Sequence, residues 1–133
     1  KKSAALDDLN AMANMGWMHH KGLGMPVDLA KALSWYSKAA LKNDAWAQHK
    51  VGFFYDEGMG VGRSFKTARQ WYLKAAAQGN KNSMFNLGLM YENGDGIKVD
   101  LLESEKWFKK SAEKGYGDAT KALERVRQKM LSL

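Results

Sequence analysis

The 133 residues are 45% hydrophobic and 11% aromatic, enough apolar material for one packed domain, which excludes a largely disordered chain. The absence of cysteine removes disulfide frameworks, thiolate zinc sites and cysteine nucleophiles, and no apolar run approaches the roughly 20 residues of a membrane span. The formal charge of +7 is spread thinly: six Lys/Arg against four Asp/Glu over 1–44, five against two over 45–80, one against two over 81–97, and nine against six over 98–133.

A period of 36 residues organises the chain. It relates Gly16, Gly52 and Gly88, then Gly22, Gly58 and Gly94, then Gly24, Gly60 and Gly96. Trp35, Trp71 and Trp107 obey it, as do the following Tyr36, Tyr72 and Phe108, and the small residues Ala39, Ala75, Ser111 and Ala40, Ala76, Ala112. Lys1-Lys2-Ser3-Ala4 repeats Lys109-Lys110-Ser111-Ala112 three periods earlier, so residues 1–7 are expected to be the tail of a preceding repeat helix, and the chain part of a longer array. Repeats then run over 8–43, 44–79 and 80–115, followed by a capping helix within 116–133.

Each repeat is expected to hold two helices. The first helices, at about 8–20, 44–57 and 80–92, open at Asp8, Asp44 and Asn80, whose side chains accept orphan amide bonds, and each stops before a G-x-G turn. The second helices, at about 28–42, 64–78 and 100–114, open at Asp28, Ser64 and Asp100, where Asp100 with Glu103 spells a capping box. They close at Asn43, Gly79 and Gly115, residue types suited to a left-handed C-cap. A seventh helix, at about 118–131, restarts the pattern with Ala119 and Leu123, then departs from it at Glu124, where glycine stands in the repeats. The fold class is therefore all-α: an α/α solenoid of about three helix-turn-helix repeats plus a C-terminal capping helix. Gly16, Gly52 and Gly88 sit in mid-helix, where glycine costs about 1 kcal/mol relative to alanine. A cost repeated in register implies close approach of the second helix, with its small residues and Trp/Tyr pair packed over the missing side chain.

These residues resemble the Sel-one-like repeat family, a relative of tetratricopeptide repeats. Its pattern is met in the second repeat by Ala47, Val51-Gly52, Tyr55, Gly58-Met59-Gly60-Val61, Ala68, Trp71-Tyr72, Lys74-Ala75-Ala76 and Gly79. His19 for tyrosine, Ser64 for aspartate, and Ser83 and Ser104 for alanine depart from it without breaking a helix pair. The resemblance implies an α-solenoid whose first helices line a concave face used for protein–protein interaction. Carried over by similarity to tetratricopeptide repeats, the groove positions are Asn10, Ala13, Trp17, His20 and Lys21 in the first repeat. In the second they are Trp46, His49, Phe53, Asp56 and Glu57, and in the third Asn82, Phe85, Leu89, Glu92 and Asn93. Unlike the scaffold positions, these differ between repeats, as a surface shaped for one partner should. Aromatic groups there supply contact area at low entropic cost. Asp56, Glu57 and Glu92, with Lys121, Arg125 and Lys129 of the last helix, are placed to orient a charged peptide. The competing structural role for Trp46, Phe53 and Phe85 is to fill gaps between adjacent first helices.

Other motifs weigh less. The G-x-G turns, richest at Gly58-Met59-Gly60-Val61-Gly62, lack the preceding strand and the G-K-[ST] ending of phosphate loops. Asn93-Gly94-Asp95-Gly96 puts Tyr91 at the first place of a calcium loop and Leu102 at the twelfth, too few ligands for the ion. His19, His20 and His49 lack metal-binding spacing. Ser111-Ala112-Glu113-Lys114 fits S-x-x-K, but no S-D-N or K-T-G accompanies it and Ser111 holds a small packing position. The basic cluster Lys121, Arg125, Arg127 and Lys129 suits a solvated face complementing its own helix dipole. The sequence thus predicts a non-enzymatic scaffold that binds a partner protein or peptide, with no cofactor, metal, catalytic residue, nucleic acid or membrane span. The competing functions are a cell-wall or β-lactam-related enzyme and nucleic-acid binding through the last helix. Bacterial cytoplasm and periplasm are both compatible.

Overall fold

The computed structural model describes residues 29–132. Six helices and no strand occur among them: α1 (Leu29–Leu41), α2 (Ala45–Glu57), α3 (Phe65–Ala77), α4 (Lys81–Asn93), α5 (Leu101–Glu113) and α6 (Gly117–Leu131). They fall into two compact units divided within α3, one through Trp71 and the other from Tyr72. Every helix from α1 to α6 lies within two residues of its sequence-predicted bounds. The helix expected at 8–20, the tail at 1–7 and the packing of Gly16 lie outside the described residues.

The second helices end as their residue types require. Asn43 has φ 73°, Gly79 φ 92° and Gly115 φ 91°. Beyond each, the next amide reaches back to the last turn: Asp44 N–H to Ala39 O at 3.2 Å, Asn80 N–H to Ala75 O at 3.1 Å and Tyr116 N–H to Ser111 O at 3.2 Å. These are Schellman closures. The same residue then starts the next helix, since Asp44 accepts from Ala47 N–H at 2.8 Å and Asn80 from Ser83 N–H at 2.9 Å. Tyr116 makes no side-chain cap before α6.

The G-x-G turns also follow a common plan. Gly58 and Gly94 cap α2 and α4 in the left-handed conformation, and a main-chain bond closes each loop, Ser64 N–H to Tyr55 O and Asp100 N–H to Tyr91 O, both 2.9 Å. That bond corrects the expected capping box. Asp100 does accept from Glu103 N–H at 3.1 Å, but the return bond from Glu103 has no donor, because the Asp100 amide is already spent on Tyr91.

The first unit packs Ala32, Leu33, Tyr36, Ala39 and Ala40 of α1 against Ala47, Val51 and Phe54 of α2, with Leu29, Phe53, Tyr55, Met59, Val61 and Trp71 around them. Tyr36 meets Phe54 edge-on at 5.7 Å. In the second unit Phe108, Ala122, Leu123 and Val126 form a core flanked by Phe85, Leu89, Leu101 and Met130. Gly88 has the expected close neighbour: a Cβ there would lie 2.6 Å from Phe108 Cδ1 and Cε1. Ser104 Oγ donates to Gly88 O at 2.8 Å beside it, tying α5 to α4. One member of each aromatic pair is buried outright. Tyr36, Tyr72 and Phe108 are fully buried, whereas Trp35, Trp71 and Trp107 are half-buried. Lys38 lies 4.7 Å above the Trp35 ring and Lys110 4.8 Å above that of Trp107.

Candidate partner-binding surface

Sequence-selected positions on α2 occupy one side of the first unit. Trp46 is 42% exposed and Glu57 is exposed, while Phe53 and Asp56 are half-buried. His49 is buried, its ring 5.6 Å from that of Trp46. Burial, with the Lys50 charge adding to it, pushes the His49 imidazole down to about 4, so it is neutral at pH 7. Lys50 was not among the selected residues. Its ammonium nevertheless lies over three rings, at 5.4 Å from Phe53, 5.6 Å from Trp46 and 5.8 Å from Tyr36. The spacing i−4 and i+3 from Lys50 to Trp46 and Phe53 is the sequence signal that identifies this cluster.

Positions selected in the second unit are more deeply committed to structure. Phe85 is half-buried, 5.4 Å from the Phe108 ring and 4.9 Å from that of Tyr116. Leu89 packs against the core. Glu92, expected at the rim, is turned inward with its side chain 2% exposed. Arg125 grips the carboxylate through Nε at 2.8 Å and Nη2 at 2.6 Å, and Lys129 Nζ approaches to 2.7 Å. A carboxylate out of water needs such partners. The Arg125 hydrogen bond, above all, holds it below the usual carboxylate range. Glu92 is thereby taken up inside the molecule, whereas Arg125 keeps an exposed face, its side chain 48% accessible. Trp17 and His20 lie outside the described residues.

The chemistry-bearing alternatives meet the same scaffold. Ser111 is fully buried, and its hydroxyl donates to Lys81 O at 2.9 Å, so it faces a main-chain carbonyl rather than a substrate. In the basic cluster of α6, Arg125 and Lys129 hold Glu92, and Arg127 pairs with Glu105 at 3.0 Å. Among the described residues no group of three or more His, Cys, Asp or Glu converges to hold a metal, and no helix is long and apolar enough to cross a membrane. Gly60 shows the role of the G-x-G turn. It has φ 67°, and a Cβ there would stand 2.6 Å from the Leu29 carbonyl carbon, so the glycine lets the turn close onto the start of α1.

Comparison with known proteins agrees with this architecture. The family model described as Sel1 repeat matches residues 9–44, 47–80 and 81–116. The chain is similar to the crystal structure of c5321, a protective antigen of uropathogenic Escherichia coli strains displaying an SLR fold, with 40% identity and a TM-score of 0.85. The match covers 90% of this chain and 26% of that one. A Sel1 repeat protein from Oxalobacter formigenes is 31% identical at a TM-score of 0.84, covering 92% of this chain and 50% of that one. Helicobacter pylori cysteine rich protein B shares the fold at 23% identity and a TM-score of 0.72, over 90% and 92% of the two chains. The chain thus spans about a quarter and a half of the length of the first two. No curated protein sequence matches it.

Proposed function

This chain belongs to the Sel1 repeat family, and from that premise we propose that it holds a partner protein or peptide on the face carried by its first helices. Proteins of the family are generally protein-interaction scaffolds. The observation that carries the finer reading is the division between its aromatic residues. Of those that recur with the repeat, Tyr36, Tyr72 and Phe108 are fully buried and Trp35, Trp71 and Trp107 half-buried, whereas Trp46, which does not recur, is 42% exposed on α2. Its counterpart one period on is Asn82, and that of Phe53 is Leu89. A large aromatic group left partly in water at one repeat alone supplies contact energy to a complex. Asp56 and Glu57 on α2 add charge that selects and orients the partner.

Capture of partners from the parent organism tests this. Replacing Trp46 and Phe53 with alanine is expected to abolish capture with helicity unchanged, whereas Phe85→Ala also lowers stability through its contacts with Phe108 and Tyr116. Undiminished capture by the Trp46/Phe53 variant refutes the assignment.

A further inference from the structure

Lys50 stands among rings contributed by two helices of the first unit. Trp46 and Phe53 flank it on one face of α2, Tyr36 reaches it from α1, and all three centroids lie 5.4–5.8 Å from Nζ. An ammonium within about 6 Å of a ring centroid is drawn by the negative potential of the ring face. The back of this cluster is fixed, because Tyr36 is fully buried and packed edge-on against Phe54. Its front is open, since Trp46 is the exposed ring. Glu57, seven residues beyond Lys50, lies on the same helix face and adds negative charge. The repeat does not require the arrangement: positions 82, 86 and 89, one period on from 46, 50 and 53, are Asn, Asn and Leu.

We propose that Tyr36, Trp46 and Phe53 form a cation-recognition site for an ammonium-bearing side chain of a partner peptide, and that Lys50 is its resident occupant. This rests on the reading that α2 faces the partner, and it specifies the chemistry of what is bound there. A lysine side chain, and more so a methylated one that is less strongly held by water, takes the place of the Lys50 ammonium over the same ring faces. Lys50 then swings into solvent. The resident side chain keeps the rings covered when no partner is present and sets a threshold that a weakly binding cation does not pass.

The test uses N-acetyl-trimethyllysine methylamide as probe, a neutral isostere with tert-butyl in place of trimethylammonium as control, and NMR as readout. In the unliganded wild-type protein the Lys50 ε-protons are expected upfield of their ordinary position, from ring currents, and saturation with the probe should return them toward it. Lys50→Ala is expected to bind the probe about ten-fold more tightly than wild type, Trp46→Ala in that background to lose this gain, and the isostere to bind several-fold more weakly than the probe. Unshifted Lys50 protons in the free protein, no gain in Lys50→Ala, or equal binding of the isostere each overturn the proposal. The first measurement needs no variant, so a folding defect in Lys50→Ala cannot obscure it. If the probe fails while the Trp46/Phe53 variant still loses partner capture, only the cation site falls; if that variant captures normally, the partner-binding reading falls.

Discussion

Alanine at Gly88 tests the helix contact at the centre of the second unit. The new Cβ would stand 2.6 Å from two carbons of the Phe108 ring and 3.0 Å from a third, where ordinary contact begins at 3.4 Å, so the ring must retreat by about 1 Å. Phe108 is fully buried, and Phe85 stands 5.4 Å away between ring centres, so the displacement is passed on rather than absorbed by solvent. Overpacking of this kind costs about 1–3 kcal/mol, against which alanine recovers about 1 kcal/mol of helix propensity. The expected net loss is about 0–2 kcal/mol, or up to roughly 8 °C in Tm, and larger for Gly88→Val. Urea denaturation of Gly88→Ala, Phe108→Leu and the double variant measures it. A smaller residue at 108 should accept the methyl group, so the double variant is expected to be more stable than the sum of the single effects by over 0.5 kcal/mol. A Gly88→Ala protein more stable than wild type, or strictly additive effects, would refute the contact as the reason for glycine in mid-helix.

Removing Arg125 is expected to cost more than removing its acid: Arg125→Met leaves a buried carboxylate with Lys129 alone, at about 3 kcal/mol, whereas Glu92→Gln leaves two cations already half in water. Because its folded-state pKa is depressed, Glu92 contributes stability above its ordinary value of 4.5 and loses it as the pH falls through the lower folded value. The denaturation free energies of wild type and Glu92→Gln should therefore converge in acid, and a gap constant from pH 7 to 3 would contradict the ion cluster. His49 acts in a higher window. Its folded pKa of about 4 lies below the ordinary 6.5, so the unfolded chain binds the extra proton and stability declines between pH 6.5 and 4, by on the order of 3 kcal/mol in full. His49→Gln should flatten that part of the stability profile, and an unchanged slope in urea titrations would show that the ring is not held neutral.

The helix pairs were legible because their determinants are local. Asn43, Gly79 and Gly115 occupy left-handed positions that few residues tolerate, and Asp44 and Asn80 carry the short oxygen acceptors an N-cap needs. Which member of Trp-Tyr or Trp-Phe meets the neighbouring helix was not legible. Adjacent helical residues point about 100° apart, so only one of them faces Gly88, and the spacing is the same for both. The capping box failed for a related reason: Tyr91 O, nine residues before Asp100, takes the amide that the motif reserves for Glu103. Glu92 looked like a rim acid because nothing local announces that Arg125, 33 residues on, folds back to hold it. Lys50 was missed differently. Its neighbours at i−4 and i+3 are readable in the sequence, but position 50 is not among the groove positions that similarity to tetratricopeptide repeats supplies.

Asp44 and Asn80 each finish one helix with the amide and begin the next with the side chain. Such a joint has no slack. An inserted residue between Asn43 and Asp44 would force one of the two bonds to be given up, and the angle from α1 to α2 is set by covalent geometry and two hydrogen bonds rather than by a freely turning linker. Tyr36 therefore stays aligned with Trp46 and Phe53 before anything arrives, and an incoming side chain does not pay the entropy of assembling the rings.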